Sequence, residues 1–559
     1  MEQTVLSLIR LNDAERSEIC KFFNDDRPFG PSQANGFRKA KRIQELVFST
    51  ENEIWKEYKR NPRVIVGRKG SGKTSVLSQT EHLGKFGVVF KPSLSKIIRQ
   101  VGEQLFEHAH DLRRIDAEIS ADVWKRIVNV SLMGEVLKKF PDREFPKIEK
   151  YFFYIGKKAE GREHRGNILE KSEAYVRGLI TSLRSINRGS TESHIGYLVS
   201  LALDFAASSE IDFEEALDEL DQFLEESDIH AIVILDSKEE YDVNDFQSEA
   251  ILKGMLRFVG AYGEDYRHVR MAIPAEGFFD LRGISSNPSK DFEDAMVLHW
   301  SPIELLRMVA WRYLIFLAGN DPVKLKKFRD LSLSSRDDVH QILSDFLSNE
   351  ILNRGGSKEY TIAYLLRHSQ LLPRQIIKIL NLAFSGIRPS VPREEAEIRD
   401  SIVQAIRESE GNICTEVFIS YRMKYPFIER LCEEVLPNLP RFFSEAELKN
   451  AYRDRGKAVL QDSGHLIINS FTDFKRCLLE IGCIGRVSVK EKTSQYADAE
   501  FEYAIPGKLS ISEDDELCIH PIFSGAFETA KNRKSEHYVY PHMSLYNFPA
   551  KRVIKLKRV

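Results

Sequence analysis

Gly67-Arg68-Lys69-Gly70-Ser71-Gly72-Lys73-Thr74 is the stretch on which the reading of this chain turns, because it satisfies the pattern G-x-x-x-x-G-K-[ST]. Val64-Ile65-Val66 before it is a β-branched apolar run suited to a buried strand, and Ser75-Val76-Leu77-Ser78-Gln79 after it continues as a helix. Strand, glycine loop and helix in that order make a cradle for phosphate. Gly67, Gly70 and Gly72 admit backbone angles closed to side chains, so successive N–H groups turn inward at the positive end of the following helix. Lys73 then supplies a point charge for the β and γ phosphates, and Thr74 a hydroxyl for Mg2+. The expected cofactors are ATP and Mg2+, bound by Gly67, Arg68, Lys69, Gly70, Ser71, Gly72, Lys73, Thr74 and Ser75.

Hydrolysis needs more than a phosphate cradle, since Mg2+ requires a carboxylate and the attacking water must be oriented. Ile232-Val233-Ile234-Leu235-Asp236 has the form of an apolar strand that delivers an acid at its end, which makes Asp236 the expected second metal group. Glu239 and Glu240 follow it as candidate bases, and their spacing leaves the choice between them open. A third strand, His268 to Ile273, runs into Pro274-Ala275-Glu276, which makes Glu276 a further polar candidate at a strand end. Arg374, at the start of a helix, and more weakly Arg312 are candidate phosphate cations. Arg312 lies in an apolar helix, where its charge needs a partner.

At 559 residues, the chain is too long for one small core. Its 42% hydrophobic and 30% charged residues are those of an ordinary globular protein, and a net charge of −3 gives no overall attraction for nucleic acid. The six scattered cysteines, Cys20, Cys414, Cys432, Cys477, Cys483 and Cys518, form no zinc pattern and read as buried thiols in a reducing compartment, so a cytoplasmic location is expected. The N-terminus lacks the apolar core of a signal peptide, and the best apolar stretch, Ile195 to Ala207, is short and carries Asp204, so no membrane span is expected.

The fold class expected is α/β: a P-loop core with a mainly parallel sheet, a helical lid and a C-terminal winged-helix-like α+β module. Residues 1–63 read as a helical lead-in with a turn at Phe29-Gly30-Pro31. Residues 64–300 read as the core, with strands at 64–66, 87–90, 229–235 and 268–273 and a charged helical insertion at about 95–225. Within that insertion, Lys157, Lys158, Arg162 and Arg165 read as a solvated face that could form a basic patch. Residues 301–390 read as the lid. In 391–559, Ser444 to Glu447 starts a helix, Phe471 to Ile481 is another that ends at Gly482, and 484–489 pairs with 499–505 as a hairpin.

The order of these parts resembles bacterial P-loop ATPases of the AAA/STAND superclass, relatives of the origin-recognition ATPases, over roughly residues 20–385. The resemblance rests on Gly67 to Thr74, Asp236 to Glu240, the strand before Glu276, Leu298-His299-Trp300 leading into the helix with Arg312, and Leu371-Leu372-Pro373-Arg374. It implies an Asp-x-Leu-Asp-Glu motif matched by Asp236 and Glu240, from which the chain departs at Lys238 and Glu239, and it favours Glu240 as the base. It also implies that Arg374 is a lid sensor.

By analogy alone it suggests antiphage defence. The expected activity is that of an ATPase switch acting on a protein effector, with homo-oligomerisation plausible. The alternative is a DNA-associated loader or sensor using the tail and the basic run Lys551 to Arg558, which has no aromatic residue for base stacking. A small-molecule kinase is disfavoured, since such enzymes need no long helical lid and tail.

Overall fold

The structure is a computed structural model that describes residues 4–37, 40–47, 62–81, 86–91, 117–155, 213–236, 246–262, 265–276, 295–386, 394–422, 424–462, 470–492, 494–504, 508–527 and 537–542. The chain divides into two compact units. One comprises Tyr58–Gly67 and Lys73–Met296, and the other Met1–Glu57, Arg68–Gly72 and Val297–Ile554.

The first unit is built on β1 (Val64–Gly67), β2 (Val88–Phe90), β3 (Ala231–Asp236) and β4 (Arg267–Pro274), in a sheet ordered β2-β3-β4-β1-β5 with β5 at Met296–Leu298. β1–β4, β4–β3 and β3–β2 all pair in parallel. Such strands are covered on both faces, which is why β1 and β3 read as unbroken apolar runs and are buried until Asp236. The observed β3 begins and ends slightly later than the apolar pattern suggests, and β4 extends one residue further at each end. The helix Ala117–Lys139 packs on the helix Phe246–Ala261 and on β2. At the start of β4, buried Arg267 grips both carboxylate oxygens of Asp221 (2.5 and 2.9 Å) and donates to Asn129 Oδ1 (2.6 Å). A guanidinium with its fork filled can sit in a core, and here it ties two helices to one strand end.

The second unit shares one apolar core among the lead-in, the helices between Pro302 and Ala383 and the C-terminal residues. The lead-in helix Asp13–Phe22 starts in a capping box between Asn12 and Glu15, and the long helix Pro302–Asn320 starts where the Glu304 carboxylate accepts from Ser301 N–H (3.0 Å) and Oγ–H (2.7 Å). These two helices pack together, with Arg16 Nη1 donating to Ala318 O (2.6 Å), and Trp311 Nε1–H of the long helix donates to Leu46 O (2.6 Å) of a further lead-in helix, Lys41–Val47. Gly30, at the expected turn, has φ +69°, and a side chain there would meet the Phe23 ring at 2.7 Å.

Farther along, Ser444 and Glu447 form the expected capping box, and the helix Phe471–Glu480 is followed by Gly482 at φ +72°. The expected hairpin is β9 (Ile484–Lys490) with β10 (Tyr496–Glu500). After β6 (Glu350–Leu352) and β7 (Lys358–Tyr360), which form a separate ribbon, the remaining strands are β8 (Phe442–Phe443), β11 (Leu517–Ile519) and β12 (Tyr538–Tyr540). They join the hairpin in a mixed five-stranded sheet, β12-β10-β9-β11-β8, so β9 and β10 are interior strands and not a free two-stranded wing. All six cysteines are free, and burial pushes the Cys414, Cys477 and Cys483 thiols well up. Among the described residues, no helix is long and apolar enough to cross a membrane.

Buried histidines give this unit a pH signature. His542 Nε2–H donates to Leu366 O (2.8 Å), and burial, aided by His299 and opposed by backbone carbonyls, holds its pKa at about 4. Burial also depresses His368 and His520 well below the usual imidazole range. These groups bind protons more readily unfolded than folded, so their contribution is complete above pH 6.5 and is lost as pH falls towards 4. Glu410, raised to about 7 by burial against the pull of Arg354, runs the other way over the same range. Three histidines outweigh one carboxyl, and His542 alone corresponds to about 3 kcal/mol. The melting temperature is therefore expected to fall on acidification from pH 6.5 to 4.5, and His542→Gln, which keeps a donor for Leu366 O, to flatten that slope. The same slope in the parent and in His542→Gln would show that His542 titrates normally.

Candidate phosphate-binding site

In the α/β unit, three features leave the same edge of the sheet. Gly67 ends β1 opposite Pro274 of β4, and Asp236 ends β3 opposite Ala272, so the start of the glycine loop, Asp236 and Pro274-Ala275-Glu276 all emerge at the carboxyl ends of parallel strands. β4 separates the other two, which sets β1 and β3 about 10 Å apart. Ligands of open parallel sheets bind at this edge. The helix Lys73–Ser78 begins at the lysine and packs on β1, β3 and β4. Lys73 is 6% exposed, and its Nζ donates to Gly67 O at 2.7 Å, so the ammonium rests on a carbonyl of its own loop. Thr74 and Ser75 are half-buried in the first turn, and Asp236 is half-buried where the rest of β3 is buried.

Loop residues Arg68–Gly72 belong to the second unit, whose side chains hold them. Left-handed angles fall on Gly70 (φ +89°) and Gly72 (φ +99°), whereas Gly67, expected to share them, is the last residue of β1. Ser71 N–H donates to Arg68 O (3.0 Å), and Trp300 Nε1–H donates to Ser71 O (2.8 Å). Ser71 Oγ is buried and finds no hydrogen-bond partner among the described residues. A buried hydroxyl without a partner costs free energy, and one in a loop with two left-handed glycines fits an oxygen-rich anion. Arg374 is the second residue of the helix Pro373–Ala383, entered through Leu371 at φ +51°. It lies against Gly70: a side chain on that glycine would come within 3.2 Å of Arg374 Cβ. Its Nε is buried without a partner among the described residues. Arg68 Nη2 donates to Gln370 Oε1 (2.6 Å), and its guanidinium lies 4.9 Å over the Tyr503 ring.

Arg312 is not at the loop. Its Nη1 donates to Phe29 O (2.6 Å) and Pro31 O (3.1 Å), and burial lowers its pKa to about 9, so the partner its charge requires is the backbone of the lead-in turn. Glu239, Glu240, the basic group Lys157 to Arg165 and the run Lys551 to Arg558 lie outside the described residues. Sequence reasoning did not single out Trp300, Gln370 and Tyr503 as loop contacts. Trp300, directly before the Ser301 cap, carries the one local signal, a large indole at the entrance of a long helix.

Neither a family model nor a curated protein matches this chain. Among solved structures, the chain aligns with the crystal structure of Cdc6p from Pyrobaculum aerophilum at 12% identity and a TM-score of 0.23, over 89% of this chain and 97% of that one. So low a score is no basis for a shared fold, and the reading that follows rests on the geometry of the chain itself.

Proposed function

We propose that this chain is a Mg2+-dependent ATPase whose phosphate loop, Gly67 to Thr74, holds the nucleotide, and that it works as a switch passing its nucleotide state to a protein effector. The observation that carries this reading is the loop's conformation: two left-handed glycines, a buried Ser71 hydroxyl without a partner among the described residues and a buried lysine resting on Gly67 O, at the carboxyl edge of a parallel sheet. When bound, Mg2+ and the triphosphate supply the bond to be broken and the charge that offsets its oxygens.

The chain's own groups do the rest. Lys73, whose Nζ rests on Gly67 O, would hold the β and γ oxygens, an anionic acceptor in place of a neutral one. Thr74, at the start of the helix, and Asp236, at the end of β3, would hold the metal. Arg374, beside Gly70 with an Nε–H that has no partner among the described residues, would balance charge on the phosphates. Glu240 or Glu239, three to four residues beyond Asp236, orients the attacking water. An AAA/STAND-type assembly, with homo-oligomers and a lid that closes on nucleotide, is the architecture this reading favours.

Phosphate release from ATP, measured with and without Mg2+, tests the proposal. Asp236→Asn is expected to lower Mg2+-dependent turnover by about a hundredfold or more while ATP still binds, because a metal ligand lost at the reacting phosphate weakens charge stabilisation in the transition state. Full turnover in Asp236→Asn would remove Asp236 from the site.

A further inference from the structure

The C-terminal module reaches back more than 400 residues to one side chain of the phosphate loop. Arg68 points away from the loop into a seat formed by Gln370 and Tyr503. Gln370 bonds in both directions: its Oε1 accepts from Arg68, and its Nε2 donates to Ile481 O (3.3 Å), at the end of the helix Phe471–Glu480. Its backbone N–H is held by Gln375 Oε1 (2.8 Å). The Tyr503 hydroxyl meets His520 Nε2 at 2.7 Å, and its ring stacks on Phe501. Gly482 makes the approach possible, since a side chain there would stand 2.5 Å from Tyr503 Cδ1 and 3.0 Å from Gln370 Nε2. Arg68 O in turn accepts the Ser71 N–H, so the residue that opens the turn of the loop is the one whose side chain is fixed.

We propose that Tyr503 is a positioning residue of the phosphate site: through Arg68 it preorganises the loop, so nucleotide affinity and the packing of the C-terminal module are energetically coupled. This rests on the reading of the loop as a nucleotide site and names the part of the chain that feels its occupancy. A cation over an aromatic face and a charge-assisted hydrogen bond hold Arg68 from two sides. Freeing it returns conformational entropy to the loop, which binding must then remove. Linkage is reciprocal, so bound nucleotide must also steady the strand and short helix around Tyr503.

The test is a titration of the full chain with a fluorescent ATP analogue and Mg2+, with hydrogen exchange over residues 496–504. Arg68→Ala and Tyr503→Leu are each expected to weaken binding about tenfold, and the double variant no more than either alone, because both remove one interaction. Tyr503→Phe should recover most of the loss, and the analogue should slow exchange in the parent but not in Arg68→Ala. Multiplying losses in the double variant, parent-like binding in either single variant, or exchange indifferent to the analogue each overturn the coupling. Should Tyr503→Leu fail to fold, the exchange comparison between parent and Arg68→Ala decides the matter. If the parent binds no better than Lys73→Ala, the nucleotide reading itself falls. If Lys73→Ala alone loses binding, only the coupling does.

Discussion

Lys73→Ala is expected to weaken ATP binding by at least about a hundredfold, because at least two charge-assisted hydrogen bonds to phosphate, each worth about 1.5–3 kcal/mol, disappear together. The loop N–H groups and the helix start remain, so the loss reports the ammonium itself. The variant should still fold: β1 stays buried and paired with β4, and what the resting protein loses includes the bond from Lys73 Nζ to Gly67 O, worth about 1 kcal/mol. Titration with a fluorescent ATP analogue, beside a melting curve, separates the two effects. Affinity within tenfold of the parent would dissociate the lysine from phosphate and take the site assignment with it.

Gly525→Ala is expected to destabilise the second unit by about 3 kcal/mol or more. A methyl at this position would stand 2.2–2.4 Å from the Glu410 carboxylate. That carboxylate is the end of a flexible chain, but it has nowhere to go: it is 2% exposed, with Oε2 taking Arg354 Nη2 (2.6 Å) and Oε1 lying 2.8 Å from His368 Nδ1. Moving it breaks the bond to Arg354 and pushes the carboxyl group into the buried His368 ring beside it. The effect should be far from additive with Glu410→Ala, which already removes the group being struck. Chemical denaturation of the two single variants and the double variant measures this. A double variant that loses the sum of the two single effects would mean that the methyl is accommodated some other way.

The fold of the sheet was legible because β1 and β3 are apolar on both faces: Val64 to Val66 and Ile232 to Leu235 need no partner to be recognised, and Val269 to Ile273 is interrupted by Arg270 alone. The second hairpin strand was placed about three residues late. Its inward positions are Ala497 and Ala499, too small to mark an apolar stripe, and buried Phe501, which does mark one, already lies beyond the strand. The glycine loop carries its chemistry locally and could be read at once, and Asp236 could be read from the strand it ends. The seat of Arg68 could not. Gln370 lies 302 positions from Arg68, and Tyr503 farther still, and pattern within a window does not encode which glutamine or tyrosine folding brings to a loop. Arg312 shows the opposite failure: a cation in an apolar helix was a sound signal of a buried partner, but the partner was a carbonyl pair in the lead-in turn.

The packing of the lead-in on the helix Pro302–Asn320 sets a schedule for the newborn chain. Arg16 and Ala318 are 302 positions apart, and Trp311 and Leu46 are 265 apart. At synthesis rates of about 5–20 residues per second, the first helices leave the ribosome roughly 15–60 s before the surface that buries Ile19, Phe23 and Ile43 exists. Through that interval their apolar face is open to other chains and to chaperones, and the second unit closes its core only after the α/β unit has been made.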